Sequence, residues 1–250
     1  MSKTEAIQTS AQNAEVILQS SWEDDETQGT MILRAAVVLV AGAFLLWAQH
    51  NSGISTSRDW GRWVGAAFLC NLVLPLGVVW MLFGQGLTRL EWLKDQKHNA
   101  WNYGWEFREW KKHLKTAAII TLVMLPFLWF YSRVPEVRTF YDAYLPEINS
   151  PVSLLWLVAT VILYMLCWEW FFRGFLLFGT AQGFGFVLAI ALQAGLFGLA
   201  HWGKPSLEMY SSFIGGALLG ILCWREKSFL PAFLIHALVH IVWIFLCTYI

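Results

Sequence analysis

The chain has 250 residues, of which 57% are hydrophobic and only 14% charged, and its formal net charge is zero. Ordinary soluble domains carry about a quarter charged residues, so a soluble enzyme, a disordered chain and a nucleic-acid binder are excluded at the outset. Sixteen Trp and eighteen Phe point the same way, because aromatic side chains gather at bilayer interfaces. The composition predicts an all-α, polytopic membrane bundle.

Residues 1–30 are polar and carry the acidic run Glu23, Asp24, Asp25 and Glu26. They lack the basic start and cleavage site of a signal peptide, so the first apolar stretch reads as a retained span. Seven apolar stretches follow, at roughly 35–49, 63–84, 116–131, 152–178, 184–202, 209–224 and 229–249. About 20 apolar residues cross the hydrocarbon layer, and lipid offers a bare backbone no partner, so each stretch predicts a helix. The third is short and contains Pro126, which predicts a kink or partial embedding.

Between the second and third stretches lies a polar insert, 85–115, with seven basic residues: Arg89, Lys94, Lys97, Arg108, Lys111, Lys112 and Lys115. Trp92, Trp101, Trp105 and Trp110 are interleaved with them, the pattern of a segment lying in the interface with indoles at headgroup depth. The positive-inside rule puts this insert, the N-terminus and the Arg225/Lys227 turn in the cytoplasm, with 132–151 outside. Cys70, Cys167, Cys223 and Cys247 are isolated within apolar stretches and read as small buried hydrophobes.

From 148 to 203 the only formally charged side chains are Glu169 and Arg173. Charge at bilayer depth is costly and usually faces a bundle interior, and the i,i+4 spacing puts both groups on one helix face. Alone, the pair reads equally as a structural ion pair. His201 closes the fifth stretch, and His236 and His240 lie i,i+4 in the last. Each buried imidazole needs a hydrogen-bond partner, and one shared polar cavity satisfies all three most economically. A depth estimate at 1.5 Å per residue supports this in part: Glu169 falls about 13 Å, His236 about 10 Å and His240 about 16 Å from the cytoplasmic side, and only His201, at about 25 Å, stands apart. A carboxylate and imidazoles in a dry cavity suit hydrolysis of a peptide bond, with a general base for water and N–H donors for an oxyanion. No Ser or Cys accompanies a histidine as a nucleophile, which disfavours covalent acyl transfer.

These residues resemble the CPBP (CAAX protease and bacteriocin-processing) intramembrane endopeptidases, a family that includes prenyl-protein CAAX peptidases of the Rce1 type. The family's Glu-Glu-x-x-x-Arg motif is met by Trp168-Glu169-Trp170-Phe171-Phe172-Arg173, followed by Gly174. Its Phe-x-x-x-His is met by Phe197 to His201, and its His-x-x-x-Asn by His236 to His240. Gly215 to Gly220, Arg225-Glu226 and Leu230-Pro231-Ala232 are similar to the family's approach to its last motif, and the similarity covers 152–245. Trp168 stands where the family has its first glutamate, the usual base, and His240 where it has asparagine.

The resemblance implies an intramembrane endopeptidase in a bacterial cytoplasmic membrane. Residues 1–30 form a polar tail, 31–151 the N-terminal membrane helices and insert, and 152–250 the peptidase-like core. The implied site is Glu169 as base in place of Trp168, Arg173 orienting it, His201 sharing the water, and His236 and His240 as oxyanion donors. The expected substrate is a membrane-anchored or lipidated protein or peptide in the bilayer, with no nucleic acid, cofactor or metal; only His236/His240 forms a local ligand pair. The rival readings are an inactive relative that binds peptide or confers bacteriocin immunity, and a haem or redox protein using the paired histidines.

Overall fold

The computed structural model describes residues 28–53, 59–83 and 103–249, and among these all regular structure is helical. In chain order the helices are α1 (Gln28–Asn51), α2 (Trp60–Leu82), α3 (Trp110–Tyr131), α4 (Pro135–Tyr144), α5 (Pro151–Glu169), α6 (Gly179–Leu199), α7 (Ser206–Glu226) and α8 (Leu230–Tyr249). A π-helical segment, Trp170–Phe178, joins α5 to α6 without a break. Among the described residues, six helical segments are long and apolar enough to cross a membrane, the longest being Pro151–Leu199, which is two arms joined at a kink.

That longest helix holds two of the seven expected stretches. It folds back at Gly185, whose φ of 76° and ψ of 168° lie in a region that residues with a Cβ avoid. The reversal brings Phe172 and Phe197 edge to face at 5.0 Å. Pro126 lies inside α3, which is a full 22-residue helix and not the shortened one expected. Polar chemistry sets several ends: Ser150 and Ser153 form a reciprocal capping box ahead of α5, with Pro151 in its first turn. Lys227 stops α7 in the left-handed conformation.

The outer faces carry apolar side chains with no described residue packed over them, such as Val123 at 74% and Val187 at 78% exposure. A soluble monomer does not display such stripes on most of its helices; lipid is their solvent. Inside, α6 packs on α7 and α3 on α8, while α5 packs on both α8 and α2. Gln193 Nε2 donates to the Gly216 carbonyl at 2.9 Å across the α6–α7 contact, where Gly216 and Gly220 let the helices approach.

One end of the bundle collects the basic segments. Phe229 N donates to the Gly104 carbonyl at 3.2 Å, Ser228 Oγ to the Glu106 carbonyl at 2.6 Å, and Lys112 pairs with Glu226 at 2.6 Å. The end of the insert and the Arg225/Lys227 turn therefore share one side, as the charge pattern expects. Trp105 is not an interfacial anchor: its ring packs between Trp170 (5.8 Å) and Phe229 (5.0 Å). Trp92, Trp101, Arg89, Lys94, Lys97 and the acidic run lie outside the described residues. The four cysteines are free thiols, with Cys167, Cys223 and Cys247 buried.

Gly174 is a point of close approach. A Cβ there would stand 2.5 Å from Trp170 Cδ1 and 2.8 Å from the Tyr103 carbonyl oxygen, a backbone atom that cannot step aside. Gly174→Val is expected to cost about 1–3 kcal/mol through overpacking, read as a lower midpoint in chemical unfolding of the detergent-solubilised protein.

Candidate active site

The π-helical segment sets the first part of the site. Arg173 and Glu169 are both completely buried, with Arg173 Nη1 2.8 Å from Glu169 Oε2. Among the described residues, Glu169 Oε2 and all three guanidinium nitrogens make no directed hydrogen bond, so the pair is a charge contact. The guanidinium lies face-on to Phe197, 4.1 Å from the ring centroid, so the ring's negative face supports the cation where water is excluded. Glu169 Oε1 lies 2.6 Å from His236 Nδ1. A carboxylate only accepts, so Nδ1 carries the hydrogen and the ring's Nε2 is left for other work.

His201 is oriented in the same manner. Its Nδ1 lies 2.8 Å from the Phe197 carbonyl oxygen, one turn back, so Nδ1 donates and Nε2 keeps a lone pair in the neutral ring. Among the described residues, a cavity of about 70 Å³ is lined by His201, His236 and His240, together with Trp168, Glu208 and Lys204. The three sequence-selected histidines thus share one cavity, as expected. Glu169 and Arg173 do not line it: they stand behind His236. The expectation that Glu169 faces the water is therefore not what its surroundings favour, since each oxygen meets a cation or an N–H and none of the side chain is exposed.

Trp168 borders the cavity directly. Its indole stacks on Tyr164 at 5.7 Å, with planes 19° apart, and meets His201 edge to face at 6.0 Å. Beyond it opens a larger, mostly apolar cleft of about 650 Å³ among α1, α2 and α6. Trp63, Phe140, Tyr164, Trp168 and Lys204 are common to both spaces.

Three participants escaped the sequence reading. Glu208, in the first turn of α7, takes Lys204 Nζ on Oε1 and the Tyr141 hydroxyl on Oε2, each at 2.7 Å. Burial and the adjoining Glu208 carboxylate hold the Tyr141 phenol well above its ordinary value, so it stays a donor. Lys204 and Glu208 are spaced i,i+4 around the start of a helix, a signal that a solvated link also gives. Among the described residues, no three His, Cys, Asp or Glu side chains are grouped to hold a metal ion.

A membrane bundle with a histidine-lined cavity, backed by a buried Glu–Arg pair, defines the class. Compared with known proteins, residues 150–242 match the family model described as Type II CAAX prenyl endopeptidase Rce1-like. The stretch from α5 to α8 thus matches an Rce1-like family model, in line with the resemblance that the three motifs carry. No curated protein and no solved structure shows significant similarity to the chain. The six apolar helices and the membrane-protease family together describe a multi-pass membrane protein.

Proposed function

We propose that this protein is an intramembrane endopeptidase of a bacterial cytoplasmic membrane, cleaving a membrane-anchored or lipidated protein or peptide. The observation that carries this reading is the convergence of His201, His236 and His240 on one cavity, with two of the rings fixed by hydrogen bonds at Nδ1. Water held by the His201 Nε2 lone pair attacks the scissile carbonyl carbon. As the C–O bond forms, charge moves to the carbonyl oxygen, where His240 donates an N–H group and His236, its ring held at Nδ1 by Glu169, lines the same wall. Collapse breaks the C–N bond, and the amine leaves with a proton that came from the water. Glu169 acts through His236, holding the ring as the carboxylate of a catalytic triad holds its imidazole, and Arg173 holds Glu169. The apolar cleft beyond Trp168 suits the acyl or prenyl chain, or the apolar span, of such a substrate.

Trp168 supports a second reading, a non-hydrolytic relative that binds peptide, because its indole walls the cavity and accepts no proton. Protein termini compared by mass spectrometry separate the two. Membranes of three strains are needed: gene deleted, gene restored, and gene restored as His236→Gln at matched protein level. A set of termini confined to the wild-type copy is expected. Identical termini in all three strains would overturn the peptidase reading in favour of binding.

A further inference from the structure

The cavity holds one carboxylate that the mechanism above does not use. Among its described lining residues Glu208 is the sole acid, and its side chain is 21% exposed, whereas Glu169 is completely buried behind His236. Each Glu208 oxygen is engaged once, by Lys204 and by Tyr141, which leaves a second lone pair on each. The position suits an anion: Glu208 sits in the first turn of α7, at the positive end of the helix dipole, and its own N donates to the Tyr131 hydroxyl at 3.3 Å.

We infer that Glu208 is the general base of this site, taking the proton of the water that His201 positions. The inference rests on the peptidase reading and deepens it. The balance is closed. Water loses a proton to the Glu208 carboxylate as its oxygen bonds to the carbonyl carbon. The carboxylic acid then returns that proton to the leaving nitrogen as the C–N bond breaks, and the carboxylate is regenerated. Lys204 and Tyr141 keep the carboxylate in place from two sides, so the proton transfer needs no side-chain reorganisation.

The charged and titratable groups facing Glu208 come from every neighbouring element. Lys204 precedes α7, Tyr131 and Tyr141 stand on α3 and α4, Tyr164 on α5, His201 closes α6, and His236 and His240 stand on α8. Of these, Lys204 is the cation in direct contact at 2.7 Å.

The test uses membranes of the gene-deleted strain as substrate, incubated with purified full-length protein in detergent. The readout is the rate at which new protein termini form between about pH 5 and 9. Glu208→Gln keeps an acceptor for Tyr141 and is expected to lower the rate by about 10²–10⁴, with only a small drop in unfolding midpoint from the lost Lys204 ion pair. Glu208→Asp is expected to recover part of the rate. Lys204→Met removes the adjacent cation, so the acid limb of the pH profile is expected to move to higher pH, a shift that a purely structural role does not produce. Tyr141→Phe should retain more activity than Glu208→Gln.

If Glu208→Gln cleaves at the wild-type rate while His236→Gln does not, the inference falls: the Glu169–His236 pair then moves the proton, and the peptidase reading stands. If Tyr141→Phe, Lys204→Met and Glu208→Gln lose rate and stability in parallel with no change of pH profile, Glu208 is structural and the inference also falls. If the wild-type protein forms no new termini, the peptidase reading fails and takes the inference with it.

Discussion

Arg173→Met is expected to cost about 3–5 kcal/mol of stability, even though the replacement side chain is nearly as long. The cause lies with the partner left behind. Glu169 has no exposed surface, and its charge is countered by Arg173 at 2.8 Å and by the His236 N–H at 2.6 Å. Without the guanidinium, a completely buried carboxylate remains with the His236 N–H as its hydrogen-bond donor. Glu169→Met alone is expected to cost a similar amount, because it strands a cation supported by little besides the Phe197 ring.

The double variant Glu169→Met/Arg173→Met removes both charges and is expected to recover most of the lost stability, since apolar groups of similar volume replace the pair. It is not expected to recover cleavage, because His236 then has nothing on Nδ1 to fix its ring. Denaturant unfolding of the four proteins in one detergent reads the first effect, and the formation of protein termini reads the second. A double variant as unstable as the singles would mean that the pair is needed for folding itself. One that is stable and fully active would remove the pair from the mechanism.

The sequence anticipated this pair from its spacing and isolation, and it put His236 and His240 level with Glu169, but it set His201 apart in depth. The mismatch of about 12 Å between Glu169 and His201 came from ending the fourth apolar stretch at 178. The helix in fact continues through the π-helical segment and turns only at Gly185. Glu169 and His201 are then each sixteen residues from the turn, about 24 Å along either arm, and they come level. Gly183 and Gly185 look like ordinary small residues in an apolar run, so hydropathy alone could not locate the reversal. Nor could it separate the role of Trp105 from that of an interfacial anchor. An indole beside a cluster of basic residues satisfies both descriptions, and only the contacts with Trp170 and Phe229 distinguish them.

Glu208 was illegible for a different reason. A buried acid inside an apolar run stands out because everything around it is uncharged, as Glu169 does. Glu208 lies beside Lys204 in a polar link, and the partner that draws it toward the cavity, Tyr141, is 67 residues away. Long-range pairing of this kind leaves no local trace. The family motifs added nothing here, because their positions lie on α5, α6 and α8, while Glu208 lies on α7.

His201 provides the complementary result, a large loss of activity at small cost to the fold. His201→Phe is expected to reduce the rate of terminus formation by about 10²–10⁴ while lowering stability by no more than about 1.5 kcal/mol. The asymmetry follows from what the ring does on each side. Towards the protein it makes one neutral hydrogen bond to the Phe197 carbonyl, and its ring contacts with Phe197 and Trp168 are ones a phenyl group can keep. Towards the cavity it offers the Nε2 lone pair, which a phenyl group lacks altogether. The two variants therefore dissociate in opposite directions: charge removal at 169 and 173 leaves a stable and inactive bundle only when both members go, whereas His201→Phe gives one by a single change. If His201→Phe cleaved normally, the water would have to be held by His236 and His240 alone, and the cavity would be a binding site with His201 as part of its wall.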